Sequence, residues 1–227
     1  MEMNSKNAPR GRIFAALAGA LTLGSALLAT PVNAAVLTFD GDVCEPSGTC
    51  SDSSLISQSY GDVAGVLDVQ YANLAGNPGI ASLRFWGTDY NDLVRVAWTD
   101  GGDGGSRAEI FLKPLNGGVV TLNSFDLGAW PDTQRTTSFT ILDGDGNLLA
   151  SSGGDITIGI QPGNLHNHFD FGDVASNTGI RIQWGPSAFN VGIDNVDFSV
   201  SAVPLPAPAW LLGAGVVALA ARRRRKV

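Results

Sequence analysis

The stretch "TSFTILDGDGNLLASS", residues 137–152, decides how the chain is read. Phe139 and Ile141 recur with period two, the spacing that puts side chains on one face of a strand. "DGDGN", Asp143 to Asn147, then concentrates the residues that tolerate tight turns. Leu148 starts a returning apolar run, so the stretch reads as a β-hairpin. The alternating oxygens of Asp143, Asp145 and Asn147 also suggest a calcium loop. The rest of an EF-hand, including its Glu at position 12, is missing, and a plain turn is expected.

The same grammar repeats outward. "AVLTFD", "VLDVQYANL" (with Leu67, Val69 and Tyr71 on one face), "SLRFWG" and "LVRVAWTD" come before the hairpin. In the last of these a strand is expected from Leu93 or Val94 to near Trp98. "RAEIFLKPL" and "VVTLNSFDLGAW" follow a flexible Gly-rich loop, Asp100 to Gly105. "DITIGI", "HNHFDFG", "GIRIQW" and "VGIDNVDFSVS" complete the series. Ten or so short strands separated by polar turns predict an all-β fold, an antiparallel β-sandwich of jelly-roll type over residues 35–202. No internal repeat is visible.

The two ends have a different composition. Lys6, Arg10 and Arg12 precede an apolar run from Ile13 to Leu28, and Val32-Asn33-Ala34 supplies small residues for cleavage. Residues 1–34 read as a secretory signal peptide cut by signal peptidase after Ala34; the alternative is an uncleaved N-terminal anchor. Residues 35–202 hold 6 basic and 20 acidic residues, a net charge of −14. So acidic a surface repels nucleic acid and anionic lipid, and no nucleic-acid partner is expected. Export also places Cys44 and Cys50, in "CEPSGTC", where disulfides persist, and a bridge closing this short loop is expected. A metal pair is the alternative, but no nearby His or third Cys supports it.

Residues 203–227 end the chain with "VPLPAPAWLLGAGVVALAARRRRKV". A helix from about Pro206 to Ala221 would span roughly 24 Å, short of a hydrocarbon core of about 30 Å. Snorkelling by Arg222 to Lys226, with Trp210 at the opposite interface, lengthens the effective span. The basic cluster holds the C-terminus in the cytoplasm and places the domain outside. Val203-Pro204-Leu205-Pro206-Ala207, an apolar helix and an Arg-rich end together resemble the VPLPA variant of the PEP-CTERM sorting signal. Pro208, where many such tails carry a small residue, departs from the pattern, but Pro is tolerated in a first helical turn. The resemblance covers only the last 25 residues. It implies an exosortase-type membrane transpeptidase as partner in a bacterium that makes exopolysaccharide. It further implies anchoring in the inner membrane before processing, and the cell surface or extracellular matrix afterwards.

Chemistry is sparse in between. In "VGIDNVDFSVS" (191–201), Asp194 shares parity with Val196, Phe198 and Val200, which places an acid in line with core residues. "IDNV" as a terminal strand resembles the last strand of galactose-binding-like sandwiches, which include carbohydrate-binding modules. That resemblance implies a structural Ca²⁺ between last and first strands, with Asp40 and Asp194 as ligands here; a turn cap through backbone hydrogen bonds is the alternative for Asp194. His166, His168 and Asp170 share one strand face and offer donors for Zn²⁺ or Cu²⁺. Neither Gly-x-Ser-x-Gly nor His-Glu-x-x-His occurs, Glu45 and Glu109 are the only Glu of residues 35–202, and no enzyme activity is expected. Tyr90, Trp130 and Trp184, near turns, are candidates for sugar stacking, or else core and edge residues. These readings make the chain an exported surface or matrix protein with weak carbohydrate binding. The alternatives are a polysaccharide hydrolase and a matrix protein with no ligand.

Overall fold

The computed structural model describes residues 32–46, 49–75, 82–159, 163 and 165–201. Residues 1–31, most of the expected signal peptide, and the expected sorting segment, with its box Val203–Ala207, lie outside the described residues, whereas Val32 to Ala34 fall within them, in the first strand. In chain order the strands are β1 (Val32–Leu37), β2 (Leu67–Asn73), β3 (Arg84–Trp86), β4 (Val96–Trp98), β5 (Ala108–Pro114) and β6 (Val119–Ala129). There follow β7 (Arg135–Asp143), β8 (Leu148–Ser151), β9 (Ile156–Ile158), β10 (Asn167–Ser176), β11 (Ile180–Gly185) and β12 (Val191–Ser201). No helix occurs among the described residues.

The strands form two antiparallel sheets. The first runs β10-β6-β12-β4-β3, with β1 alongside the C-terminal half of β12. The second runs β2-β5-β11-β7-β8, with β9 on the start of β7. Alternation explains why they stack. Leu67, Val69 and Tyr71 of β2 are buried, as are Ile110 and Leu112 of β5 and Ile141 of β7. They share one apolar cluster with Leu122, Phe125, Leu127, Ile193 and Phe198 of the first sheet. The rings of Phe125 (β6) and Phe139 (β7) meet edge to face at 5.3 Å across the sandwich. Trp184 (β11) donates from Nε1 to the Val191 carbonyl (β12) at 2.8 Å. The Cys44–Cys50 disulfide is present, with Cα atoms 5.2 Å apart.

Two departures from strict alternation shape the outer face of the first sheet. Asn195 has φ +49° and forms a bulge in β12. Before it, Val191 and Ile193 belong to the core cluster; after it, Val196, Phe198 and Val200 do. One extra residue reverses facing. Asp194 therefore lies opposite to the expected core face, paired with Asp126 of β6. β10 shifts register at the same level, between Asp170 and Val174.

The second departure is the segment expected to enter β4 from Leu93. The strand begins only at Val96, because Asp89, Asn91 and Arg95 all have positive φ and the chain loops over the sheet. Gly128 and Gly192, paired across β6 and β12, make room for it. A Cβ on Gly128 would lie 2.3 Å from the Tyr90 carbonyl oxygen, and one on Gly192 2.5 Å from the Val96 side chain. Tyr90, Leu93, Val96 and Trp98 thereby form a second, smaller apolar cluster, against which Trp86, Trp130 and Phe189 pack.

Candidate functional site

Two features meet on this outer face. The first is a row of carboxylates and imidazoles. His168 of β10, Asp126 of β6 and Asp194 of β12 occupy directly opposed positions on three adjacent strands. Asp126, with only 7 % of its side chain exposed, accepts from His168 Nδ1 at 2.6 Å and from Asn195 Nδ2 at 2.8 Å. His168 Nε2 lies 3.1 Å from Asp170 Oδ1. His166 donates its backbone N–H to Asp92 Oδ1 at 2.7 Å. Its ring Nδ1 is 2.9 Å from the same oxygen, and its Nε2 is 3.7 Å from Asp126 Oδ2.

Burial pushes the Asp194 carboxyl up to about 8, and the negative charges of Asp126 and Asp40 add to this. The Asn195 backbone N–H, 2.7 Å from Asp194 Oδ1, works the other way. The hydrogen bond to Asp126 raises the His168 imidazole above its usual value. Asp194 at neutral pH is thus a protonated acid beside an acceptor-rich neighbour.

Asp40 lies near enough to Asp194 for its charge to act on it. Asp40 is exposed and ion-paired to Arg95, whereas Asp194 is buried. Among the described residues no three His, Cys, Asp or Glu side chains gather to hold a metal ion. Ca²⁺ takes six to eight oxygens, so backbone carbonyls would have to supply several beside these two carboxylates. The hairpin turn is held by Asp143, whose Oδ1 accepts the backbone N–H groups of Asp145 and Asn147 at 2.9 and 2.8 Å. In the 100–105 loop, Asp100 pairs with Arg84, and Asp103 accepts from the Ser187 hydroxyl at 2.6 Å.

The second feature is aromatic. Trp86, Tyr90, Trp98, Trp130 and Phe189 line one cleft. Trp86 meets Trp98 and Trp130 edge to face at 5.9 and 6.0 Å, and Trp98 meets Phe189 at 5.2 Å. Trp86, Trp130 and Phe189 are half-buried, while Tyr90 is buried and donates its hydroxyl to the Phe189 carbonyl at 2.9 Å. Trp86 Nε1–H has no acceptor among the described residues. Of the three aromatic candidates, then, only Trp130 offers exposed ring surface. Tyr90 forms a cleft wall, and Trp184 is buried in the core and presents none.

Sequence reasoning missed Asp126, Trp86 and Trp98 as members of a site. "RFWG" and "VAWT" each set a Trp in a short strand, but only the β3–β4 pairing, with Trp86 opposite Val96 and Arg84 opposite Trp98, brings the two rings together.

No protein family matches the chain, and no curated protein does. The solved structures it is similar to include a CBM4 carbohydrate-binding module, at 14 % identity over 66 % of this chain and 91 % of that one, TM-score 0.31. A ruminal GH26 endo-β-1,4-mannanase matches at 11 % identity over 59 % of this chain and 26 % of that one, TM-score 0.27. The enzymatically active domain of bacteriophage CBA120 tailspike protein 4 matches at 15 % identity over 64 % and 20 %, TM-score 0.25. At such scores and identities the site rests on its own residues.

Proposed function

We propose that the chain is an exported protein, delivered by its C-terminal sorting tail to the cell surface or extracellular matrix, where a jelly-roll-type sandwich binds carbohydrate without catalysis. The observation that carries the binding reading is the Trp86–Trp98–Trp130–Phe189 cleft. Half-buried rings offer apolar surface to the C–H faces of a sugar. The test is a pull-down against the host's own exopolysaccharide. Retention that Trp130→Ala abolishes supports the reading; equal retention of both proteins removes the cleft as the binding site, and retention of neither leaves a matrix protein without this ligand.

The sorting half rests on residues 203–227, with an exosortase-type transpeptidase as partner and the inner membrane as first location. Deleting the tail should abolish processing and change location; unchanged processing and location would refute it. Signal-peptidase cleavage after Ala34 would leave Ala35–Leu37 of β1 paired with Val196–Phe198 of β12. A new N-terminus at Ala35 on sequencing the mature protein is the expected result. Structural Ca²⁺ at Asp40 and Asp194 is a separate proposal that requires Arg95 to release Asp40 and Asp194 to lose its proton. A Tm raised by added Ca²⁺, and no longer raised after Asp40→Asn, would support it.

One observation favours the hydrolase alternative: Asp126 and Asp194 are neighbouring carboxylates with one pKa raised. Both are buried, and the hydrogen bonds of Asp126 run to His168 and Asn195 of its own sheet rather than to an open cleft. A structural role is the better reading of the pair. Release of reducing sugar from the host polysaccharide, lost in Asp194→Asn, would reverse it.

A further inference from the structure

The outer face of the second sheet carries a feature that nothing above uses. Along β5, Ala108, Ile110 and Leu112 point into the core, so Arg107, Glu109, Phe111 and Lys113 point outward. Although outward, the Glu109 side chain is only 8 % exposed. Its Oε1 accepts from Arg181 Nη1 at 2.7 Å and its Oε2 from Gln183 Nε2 at 2.6 Å. The Arg181 guanidinium also lies 3.9 Å from the centre of the Phe111 ring. A carboxylate and a ring thus fix this guanidinium in place.

Beside this array, Arg107 borders a polar depression with Ser138, Thr140, Gln183 and Gly185. Arg107 is exposed and has no carboxylate within ion-pair distance among the described residues. Arg84, Arg95 and Arg135 each pair with an aspartate elsewhere. Three of the domain's six basic residues, Arg107, Lys113 and Arg181, therefore share this face. The acids on the same face of β2 and β5 are Asp68 and Glu109. In a domain of net charge −14, this face is locally slightly positive.

We infer that the outer face of β2, β5, β11 and β7 binds a carboxylated polysaccharide, a uronic-acid-containing strand, with Arg107 taking a sugar carboxylate. Arg presents a planar fork that matches a carboxylate, and among the described residues no carboxylate takes the fork of Arg107. With Gln183 Nε2 given to Glu109 and the Ser138 hydroxyl proton to the Gly185 carbonyl, Gln183 Oε1 and Ser138 Oγ remain as acceptors beside the Thr140 hydroxyl for sugar hydroxyls. From Arg107 to Lys113 the strand covers roughly 20 Å, the reach of a short oligosaccharide. Three cations interleaved with two carboxylates are too few to hold a nucleic acid or an anionic membrane, which need many uncompensated positive charges. The surface is separate from the Trp86–Trp130 cleft and does not depend on it.

The test is affinity electrophoresis of the full-length protein through polygalacturonate, and through the same polymer with its carboxyls methyl-esterified. Retardation is expected in the first and not in the second. Arg107→Gln should weaken it by about tenfold, the scale of one charge-assisted hydrogen-bonded contact. Arg95→Gln, an equal loss of charge on the other sheet's side, and Trp130→Ala should leave it unchanged. An unaltered Tm for Arg107→Gln excludes unfolding as the cause. No retardation by polygalacturonate, equal retardation by the esterified polymer, or full retention of binding in Arg107→Gln would each overturn the inference. Loss of exopolysaccharide binding in Trp130→Ala alone would instead speak to the aromatic cleft.

Discussion

Asp126 and Asp194 face each other across β6 and β12, and one residue serves both: Asn195 donates its side-chain amide to Asp126 at 2.8 Å and its backbone N–H to Asp194 at 2.7 Å. Two adjacent acids are thereby held apart in character. Asp126 accepts from the side chains of His168 and Asn195, and Asp194, with a single backbone donor, keeps its proton. The left-handed conformation of Asn195 makes this sharing geometrically possible, and Asn adopts that conformation more readily than most residues.

A pH dependence of stability follows. The Asp194 carboxyl titrates near 8 when folded and near 3.9 when unfolded, so between these values the folded chain binds more protons. Stability contributed by this group is greatest below about pH 4 and falls as pH rises toward 8. His168, also raised, acts in the same direction: its contribution is full below about 6.5 and is lost as pH climbs through its folded value. Tm should therefore decline from pH 5 to pH 8.5. Asp194→Asn, which keeps the shape without the titration, should flatten that decline. An equal slope in both proteins would refute the assignment.

The close approach at Gly128 gives a second prediction. Gly128→Ala drives a methyl group to 2.3 Å from the Tyr90 carbonyl, and the 90–96 segment must lift. Overpacking of this kind costs about 1–3 kcal/mol, a fall in Tm of several degrees for a domain this size. Because Tyr90 walls the aromatic cleft, tryptophan fluorescence should shift as well. Gly146→Ala, strained by its φ of +90° but meeting no neighbour and lying in the β7–β8 turn, should leave the fluorescence unchanged.

The disulfide closes a short loop, Cys44 to Cys50. Loop-closure entropy for so few residues predicts about 2 kcal/mol of stabilisation, less than a bridge closing a long loop would give. Thermal unfolding with and without reductant should show a modest loss of Tm and a protein that still folds.

Much of this was legible from period-two patterning. The "DGDGN" hairpin, the Leu67/Val69/Tyr71 face and the bounds of β12 follow from alternation and turn residues alone. What alternation cannot carry is a bulge. A single left-handed Asn195 inverts the facing of Asp194, and neighbouring residues give no hydropathy cue, since Asp194 and Asp197 look alike in composition. Asp126 was hidden for a related reason: it is flanked by Phe125 and Leu127 and becomes interesting only when β10 and β12 bring His168 and Asp194 beside it. Long-range pairing assembled both sites, and a local pattern holds no record of it.

The two tryptophans once equal in sequence separate sharply by experiment. Trp184 is 2 % exposed, lies in the core cluster and bonds the Val191 carbonyl across the sandwich. Trp184→Ala removes a large buried side chain and leaves a carbonyl without its donor, a loss of about 3–5 kcal/mol. Trp130 is half-buried at the cleft, so Trp130→Ala should cost less stability while removing ring surface from the proposed sugar site. Urea denaturation should therefore rank Trp184→Ala well below Trp130→Ala in midpoint, and exopolysaccharide retention should rank Trp130→Ala lowest among variants that stay folded. A Trp130→Ala protein as destabilised as Trp184→Ala would mean that the cleft is core in function as well as in packing, and the stacking role would fall with it.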